Sequence, residues 1–505
     1  MLNYRYIILF VFIQLFIVGC SPDPGDFSSS KPNIIVFLAD DLGYGDLGCY
    51  GNPIIKTPAL DKFATEGVLL RNCHSAGTVC SPSRAGLLTG RNPYRSGFYS
   101  IQGGASGIHL KNEEITIAEL LKTEGYETGF FGKWHLSMLS KDKKDEPGPG
   151  EQGFDYWFAT THNAFNGVEN CRDFIKNGTV VDSVNGWYCD VIVEEALRWL
   201  REKRDKDKPF FLMICSHEPH TPLDPPARFS NMYDNSEVEM LEKSIKYGSV
   251  DRPDKDITSN KKDYYGTVSQ LDSAFSNLLK AIKEDKLEDN TIIIFTSDNG
   301  PEHPVNLEES KGEWDDPIRE KCFGTPGVLR GMKRYPYEGG HRVPGIVRWP
   351  GKIPAATVSD QVFNGTDIMP TLSALAGFKI PSDRTIDGVN AMPALLGQEV
   401  ERENQCLWLF PTHEDTYFRM PHMAMRHGDF TLLGWFPEKK EGQNLMRWMK
   451  ESVPEKFALY NTSIDPGQEN DISSLETEKL KELIPEMIEL WIDIRDEGPD
   501  WNQKK

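Results

Sequence analysis

The chain has 505 residues, enough for two or more domains or for one large domain with a smaller partner. Hydrophobic residues make up 39% and charged residues 26%, which excludes a disordered or fibrous protein. The formal net charge of −20 argues against a nucleic-acid-binding protein, whose binding face is usually basic, and an anionic substrate would need basic groups that are local to a pocket.

The first 19 residues are predicted to be an export signal. Arg5 precedes a mainly apolar run at 6–18, which is shorter than the roughly 20 residues of a membrane-spanning helix. The stretch IVGC ending at Cys20 resembles a bacterial lipobox, in which the cysteine is lipidated; an ordinary secretory signal with a chance cysteine is the alternative. Residues 20–31 are rich in Pro, Gly and Ser and are predicted to be a flexible tether. We therefore expect an exported bacterial lipoprotein, periplasmic or anchored at the outer membrane or cell surface, that meets the membrane only through its lipid.

Three short apolar runs are predicted to be strands buried on both faces, because their apolar residues are continuous. These runs are Pro32–Ala39, Pro209–Cys215 and Thr291–Thr296, and Glu127–Gly132 is a shorter strand candidate. Helical patterns lie at Thr57–Glu66, Thr116–Glu124, Cys189–Lys203, Tyr264–Glu284 and Asp367–Ala376. This alternation predicts an α/β fold with a doubly wound, mainly parallel sheet over residues 32–395.

After about residue 395 the pattern changes to short strand-like pieces and one long helix. The pieces are Cys406–Phe410, Met423–Arg426, Thr431–Gly434 and Leu459–Asn461, and the helix lies around Leu480–Arg495. Residues 396–505 are therefore predicted to be a smaller C-terminal α+β subdomain with an antiparallel sheet.

The nine cysteines show neither a CxxC pair nor a Cys/His cluster with zinc spacing, so a structural zinc site is not expected. Cys215 lies inside an apolar run and is predicted to be a buried free thiol. Cys171 and Cys189 are candidates for a disulfide in an oxidising compartment, which the sequence does not establish.

Polar side chains directly follow the four predicted strands of the main domain. Ligands of an open α/β sheet bind beyond the carboxyl ends of its strands, so we expect these side chains to meet in one crevice. A single such pair is also typical of an ordinary helix cap, but four pairs favour a site. In chain order they are Asp40 and Asp41, Lys133 and His135, His217 and His220, and Asp298 and Asn299.

Four of these eight strand-end residues have side-chain oxygen atoms that can bind a metal ion. Asp40, Asp41, Asp298 and Asn299 offer only oxygen atoms, which suit Ca²⁺ or Mg²⁺ rather than a soft metal. Three carboxylates on one cation leave spare negative charge, so cationic side chains must handle an anionic ligand nearby.

Basic side chains and histidines complete the set. Arg84, Lys133 and Lys333 are candidates for an oxyanion clamp. His135 and His220 can transfer protons near neutral pH. A hard cation, an anion clamp and two histidines together predict hydrolytic transfer of a sulfuryl or phosphoryl group.

The segment CSPSR at 80–84, followed by Thr89-Gly90, is the most specific motif in the chain. Pro82 favours a helix start at this point, and the free N–H groups of a helix N-terminus attract anions. The segment matches the sulfatase signature Cys-x-Pro-x-Arg, in which the cysteine is converted to formylglycine. An unmodified thiol with a lowered pKa at a helix N-terminus is the alternative.

Over about residues 32–470 the chain resembles the type I, formylglycine-dependent sulfatases of the alkaline phosphatase superfamily. Its N-terminal third is most similar to arylsulfatase A and the galactosamine-6-sulfatases. The resemblance implies an alkaline phosphatase-like fold. Further matching segments are Leu38–Asp46, Gly132–His135, Pro219–Pro222, Thr296–Gly300, Leu329–Lys333, Glu338–Pro344, and Ala458–Asn461 followed by Asp465-Pro-Gly.

The resemblance implies a Ca²⁺ ion and a modified cysteine. The metal ligands would be Asp40, Asp41, Asp298 and Asn299, together with the formylglycine (3-oxoalanine) made from Cys80. A formylglycine-generating enzyme is then a required partner.

The resemblance also implies roles for the basic residues. Arg84, Lys133 and Lys333 would hold the nucleophile and the sulfate oxygens. One hydroxyl of the hydrated aldehyde would attack sulfur, His220 with Lys333 would help to protonate the departing alcohol, and His135 would remove a proton from the second hydroxyl. His217 lies three residues before His220 and is the alternative proton donor, although the Pro-His-Thr-Pro match favours His220.

Family members act on sulfated sugars, aryl sulfates or steroid sulfates. An exported lipoprotein meets polymers outside the cell, so we favour a galactose or N-acetylgalactosamine sulfate in a glycan over an aryl sulfate. Trp134 and Trp187 are expected to be core residues rather than stacking platforms. Candidate substrate contacts in polar loops are His109, Thr161, His162, Asn163, Arg172, His217 and His303.

Two other functions are open. A phosphodiesterase or phosphonate monoester hydrolase of the same superfamily is similar in fold, and a glycan-binding lipoprotein without catalysis is the more distant alternative. The presence of Cys80, Arg84 and Lys133 favours an enzyme.

Overall fold

A ten-stranded sheet forms the centre of the fold. A computed structural model describes the chain at residues 31–102, 107–139, 146–235, 258–302, 322–410 and 421–501. The predicted signal segment, Cys20 and His303 lie outside the described residues. The strands up to residue 395 are β1 (Asn33–Ala39), β2 (Val68–Leu70), β3 (Cys73–His74), β4 (Glu127–Lys133), β5 (Tyr156–Thr160), β6 (Phe174–Lys176), β7 (Thr179–Val180), β8 (Phe210–Cys215), β9 (Thr291–Ser297), β10 (Gly345–Arg348), β11 (Thr357–Ser359) and β12 (Phe363–Asn364).

The four predicted strands are neighbours at the centre of this sheet. Its order is β11-β2-β10-β9-β1-β8-β4-β5-β6-β7, and β3 pairs separately with β12. β1 runs parallel to β8 and β9, and β4 runs parallel to β8 and β5, whereas β10, β6 and β7 add antiparallel pairings. Even-numbered residues of β1 such as Ile34 belong to one apolar cluster and odd-numbered ones such as Ile35 to another. The continuous apolar runs are therefore strands covered on both faces, as predicted.

Helices cover the two faces. The described helices are α1 (Pro58–Thr65), α2 (Cys80–Thr89), α3 (Ile117–Thr123), α4 (Tyr188–Arg198), α5 (Ala227–Ser230), α6 (Thr258–Glu284), α7 (Glu338–His341), α8 (Ile368–Ala376), α9 (Met392–Leu395), α10 (Leu445–Glu451) and α11 (Thr477–Glu497). The five predicted helices are confirmed as α1, α3, α4, α6 and α8. Helices α1, α4 and α6 pack into one apolar cluster, and α2, α3 and α8 pack into the other.

The C-terminal part contains the expected antiparallel sheet. Its strands, adjacent in chain order, are β13 (Cys406–Leu409), β14 (Met423–His427), β15 (Phe430–Trp435) and β16 (Lys456–Asn461). The long helix α11 buries Met487 and Trp491 against it, and Tyr94 joins the same apolar cluster from the main sheet's side. The α/β fold with a smaller antiparallel C-terminal sheet is therefore confirmed. Among the described helices, none combines the length and apolar character needed to cross a bilayer.

The cysteines of the described residues are free thiols, Cys171 and Cys189 included. Cys215 is fully buried in β8, as its apolar run predicts.

Candidate active site

The strand-end side chains meet at one edge of the central sheet. Ligand atoms of Asp40, Asp41, Cys80 and His220 all lie within 4.8 Å of one another. The aspartates and the cysteine are buried, whereas the side chain of His220 is 11% exposed. Three of these residues follow β1 and β8 and the fourth begins α2, so the topology of a parallel sheet brings them together.

Cys80 is the first residue of α2 and faces Asp40. The turn before the helix is fixed by Ser83, whose hydroxyl accepts a hydrogen bond from the Gly77 N–H at 3.0 Å and donates to the Gly77 carbonyl at 2.8 Å. The Cys80 thiol donates to Asp40 Oδ1 at 3.5 Å. Burial and the charge of Asp40 raise the pKa of this thiol to about 12, so the alternative of a thiol with a lowered pKa is wrong for this environment.

Two carboxylates are held by the predicted clamp residues. Lys133 Nζ donates to Asp40 Oδ2 at 2.5 Å, and Arg84 donates to Asp298 Oδ2 through Nε at 2.9 Å and Nη2 at 2.6 Å. The third donor of Arg84, Nη1, binds the backbone carbonyl of Lys133 at 2.7 Å. Burial would raise the pKa of Asp40, but the charges of Lys133, Arg84 and Lys333 hold it well below its usual value. Burial and the charge of Asp40 raise the pKa of Asp298.

Asp41 lies in a second charged group. Lys333 Nζ is 2.8 Å from the Asp41 carboxylate and 3.3 Å from Glu302, which also pairs with Arg334. Asn299 Nδ2 donates to Asp41 Oδ1 at 2.6 Å. Burial would lower the pKa of Lys333, but Asp41 and other anionic neighbours raise it well above its usual value, so this lysine stays charged.

Three histidines lie in or beside the crevice. His220 Nδ1 is 2.6 Å from the Thr221 carbonyl, so it carries a proton and leaves Nε2 facing the Asp41 carboxylate at 3.5 Å. His217 is fully buried, and its Nδ1 accepts a backbone N–H at 3.4 Å. Within the described part of the chain, His135 Nδ1 is buried without a hydrogen-bond partner. Burial lowers the pKa of all three, to about 4 for His220, so each is neutral near pH 7.

Residues 161–163 follow β5 and line these histidines. The carbonyl of Thr161 accepts the backbone N–H of His135 at 2.9 Å, and the ring of His162 meets that of His135 edge to face at 5.2 Å. Asn163 Nδ2 donates to His220 Nε2 at 3.1 Å. Three of the predicted substrate contacts therefore lie beside the candidate proton-transfer groups.

Other predicted contacts lie elsewhere. His109 packs on Trp501 with ring centroids 5.2 Å apart, and Arg172 is exposed. Trp134 is buried in the core as expected. Trp187 is half-buried, and its indole N–H donates to the Asp224 carbonyl at 2.9 Å.

A known protein family matches more than half of the chain. The profile of the family described as Sulfatase matches residues 32–378. The chain belongs to the sulfatase family. A second profile, described as N-sulphoglucosamine sulphohydrolase, C-terminal, matches residues 331–490 of this sulfatase. The protein is therefore a sulfuric ester hydrolase.

Individual proteins similar to this chain are sulfatases as well. The sulfatase is 32% identical to N-acetylgalactosamine-6-sulfatase of Canis lupus familiaris over 392 residues, which cover 73% of this chain and 67% of the relative. It is 32% identical to arylsulfatase A of Homo sapiens over 412 residues, with 76% and 71% covered. The crystal structure of Ps i-CgsB in complex with k-i-k-neocarrahexaose superposes with a TM-score of 0.72 at 25% identity and covers 94% of each chain.

The donor set of the sulfatase fits a hard divalent cation. Asn299 Oδ1 is buried and has no hydrogen-bond partner among the described residues, which leaves an oxygen available beside Asp41. The close group of possible ligand atoms contains His220, whereas Asp298 is held by Arg84 through Oδ2 and places Oδ1 3.3 Å from the Asp41 N–H. An oxygen-rich set of this kind suits Ca²⁺ or Mg²⁺.

Sequence reasoning missed Glu302 and Arg334. Glu302 contacts Lys333, and Arg334 pairs with Glu302, so both belong to the charged group around Asp41. Their only signal in the sequence is nearness to Asp298 and Lys333, because no strand end or motif marks them.

Proposed function

We propose that this sulfatase removes sulfate from sulfated carbohydrates, with a galactose or N-acetylgalactosamine sulfate in a glycan as the substrate. Support comes from its likeness to an N-acetylgalactosamine-6-sulfatase and to a protein solved in complex with k-i-k-neocarrahexaose. The observation that carries the catalytic part is the cluster of Asp40, Asp41, Cys80 and His220 beside three cationic side chains. Aryl sulfates are the competing substrate class.

A Ca²⁺ ion and a formylglycine made from Cys80 are part of this proposal. The ion would be held by Asp40, Asp41, Asp298 and Asn299, with residue 80 next to it. The ion supplies positive charge at the sulfate oxygens, and the modified residue supplies the nucleophile. Conversion of Cys80 requires a formylglycine-generating enzyme as a partner.

The clamp residues bind and orient the sulfate group. Arg84, Lys133 and Lys333 are buried and charged, and each is paired with a site carboxylate, so their donors are held in place before substrate arrives. Preorganised donors in a site that excludes water stabilise developing negative charge more strongly than flexible surface groups do. The three therefore act as an oxyanion clamp.

The histidines move protons. His220 presents Nε2 to the crevice because Nδ1 holds its proton on a carbonyl, so Nε2 is the atom that would take a proton from the charged Lys333 beside Asp41 and pass it to the departing alcohol oxygen. His135 Nδ1 is buried and free of a partner among the described residues, so it accepts a proton at that atom. Asn163 and His162 lie beside these rings, on the path of the sugar.

The test is sulfate release from a panel of sulfated monosaccharides and oligosaccharides, with 4-nitrophenyl sulfate as the aryl member. The protein is made with a formylglycine-generating enzyme, and Cys80→Ala is assayed beside it. We expect release from one sugar and linkage, lost in Cys80→Ala and after chelation. Faster release from 4-nitrophenyl sulfate than from any sugar would contradict the carbohydrate proposal. No release from any member, with residue 80 confirmed as modified, would favour phosphoesters or glycan binding.

A further inference from the structure

Lys333 lies in a turn that closes on itself, and we call residues 330–340 the Lys333 loop. The backbone N–H of Gly339 donates to the carbonyl of Arg330 at 2.7 Å, which joins the two ends of the turn. The N–H of Lys333 itself donates to the Pro301 carbonyl at 3.0 Å. The backbone of the loop therefore decides where the Lys333 ammonium lies relative to Asp41.

Gln468 of the C-terminal subdomain contacts both ends of this loop. It follows the Asp465-Pro-Gly segment after β16, a matching segment to which the active site gives no role. Its side-chain Oε1 accepts the backbone N–H of Glu338 at 2.8 Å, and its backbone carbonyl accepts Arg330 Nη1 at 3.1 Å. One fully buried residue thus contacts both Arg330 and Glu338, which lie near the two ends of the Lys333 loop.

The same subdomain also holds the side chain of Glu338. Thr431 Oγ1 in β15 donates to Glu338 Oε1 at 3.1 Å, and Arg426 in β14 pairs with the same oxygen at 3.5 Å. The charges of Arg426 and Arg342 outweigh burial and lower the pKa of Glu338, so the carboxylate stays ionised. Glu338 is therefore fixed at its backbone by Gln468 and at its side chain by the sheet.

We propose that Gln468 is a positioning residue for Lys333. It acts through the Lys333 loop and does not touch the substrate. The C-terminal subdomain therefore helps to fix the position of Lys333 in the active site. The inference rests on the proposed role of Lys333 at the sulfate. A displacement of about 1 Å in a catalytic group can cost roughly a hundredfold in rate, which makes a hydrogen bond at the base of the loop matter for turnover.

The test variant is Gln468→Met, assayed with 4-nitrophenyl sulfate. Methionine keeps the approximate volume of glutamine but lacks the amide oxygen that accepts the Glu338 N–H. Gln468 Nε2 has no hydrogen-bond partner among the described residues, so the bond to Glu338 is the side-chain hydrogen bond that the variant loses. We expect kcat to fall by about tenfold or more with KM changed by less than about threefold, since the variant alters alignment rather than binding.

Tyr94→Phe is the matched control for a merely structural effect. Tyr94 also bonds across to the C-terminal sheet, because its hydroxyl donates to the Leu409 carbonyl at 2.5 Å and accepts the Leu409 N–H at 2.8 Å. These bonds lie at β13 rather than at the Lys333 loop. We expect Tyr94→Phe to lower Tm as much as Gln468→Met does and to leave kcat close to that of the wild type.

Lys333→Ala provides the decisive background. If Gln468 acts through Lys333, adding Gln468→Met to Lys333→Ala should lower kcat no further, because coupled residues are not additive. The same fold-loss in both backgrounds, or an equal loss in Tyr94→Phe, would overturn the proposal. Undiminished kcat in Lys333→Ala alone would instead overturn the role of Lys333, so the two failures are distinguishable.

Discussion

His217 and His220 lie three residues apart but have different surroundings. The His217 ring is fully buried, and its Nδ1 accepts a backbone N–H. The His220 ring is partly exposed and reaches both the Asp41 carboxylate and Asn163. A residue that protonates a leaving group must reach the substrate, so exposure toward the crevice favours His220.

Single alanine variants at these two positions test the assignment. We expect His220→Ala to lower kcat by roughly 10²–10⁴, the usual range for loss of a general acid. His217→Ala should lower kcat by less than about tenfold and reduce the free energy of unfolding by about 1–3 kcal/mol, because it empties a buried site. The measurements are kcat and urea denaturation. A collapse of turnover in His217→Ala alone would reverse the assignment.

The predictability of individual residues depends on whether the chain places them at a strand end. Asp40, Asp298 and Lys133 could be predicted because they follow apolar runs whose direction in a parallel sheet is known. Glu302 could not, because its ion pair with Lys333 joins two residues that are distant along the chain. His109 shows the converse error, since a polar loop residue near a motif packs on Trp501 instead.

At the scale of elements, β4 approaches β8 closely at Gly132, the residue before Lys133. Gly132 has a φ of 110°, and a Cβ built at this position would lie 1.9 Å from the carbonyl oxygen of Cys215 in β8. Backbone atoms of two paired strands cannot move apart without breaking the ladder between β4 and β8, whose last pair is Gly132 and Cys215, directly before Lys133. Glycine is therefore required both for its conformation and for the close contact.

Gly132→Ala should therefore separate the two strands at this point. We expect it to lower the free energy of unfolding by about 3 kcal/mol or more and to reduce kcat, because Lys133 moves with the strand. The matched control is Gly125→Ala, since Gly125 has a φ of 82° with no atom within 4 Å of its built Cβ. The control should lose only about 1 kcal/mol, the cost of the backbone conformation alone. Equal losses in urea denaturation would show that the close contact is unimportant.

Elements were predictable where a pattern was long enough to show. β1, β8 and β9 are continuous apolar runs of six or seven residues, and the sequence predicts them almost to the residue. β2 has three residues, which is too short for a periodic pattern to show in the sequence. In the sheet it lies between β11 and β10. Its place beside β10 depends on pairing between distant segments, which one sequence does not reveal.

At the scale of the whole molecule, an aromatic and histidine stack joins the main sheet's side to the C-terminal sheet. His341 in α7 stacks on Trp408 in β13 with ring centroids 3.8 Å apart, and its Nδ1 is 3.0 Å from Nδ1 of His74 in β3. His74 Nε2 donates to Asn72 Oδ1 at 2.8 Å, so its Nδ1 accepts the single proton between the two rings. A second proton on this pair would have no acceptor there.

The groups facing this pair disfavour its protonation. Burial, with smaller contributions from Arg426 and Arg342, lowers the pKa of His341 to about 4 against the opposing effect of Glu338. Burial and His341, with smaller contributions from the nearby arginines, lower the pKa of His74. An unfolded histidine binds a proton below about pH 6.5, whereas these remain neutral in the folded protein. Stability is therefore fully present above pH 6.5 and is lost as the pH falls from there toward 4.

His341→Gln tests this whole-molecule effect in urea denaturation at pH 7.5 and 5.5. The variant should be less stable than the wild type at pH 7.5, because the stack on Trp408 is lost. Its loss of stability between the two pH values should be smaller than that of the wild type by about 1 kcal/mol, the cost of keeping one histidine neutral one unit below its unfolded pKa. His427→Gln, at the more exposed His427–Glu486 pair, is the control and should not flatten the pH dependence. An unchanged difference in His341→Gln would mean that acid destabilises the protein elsewhere.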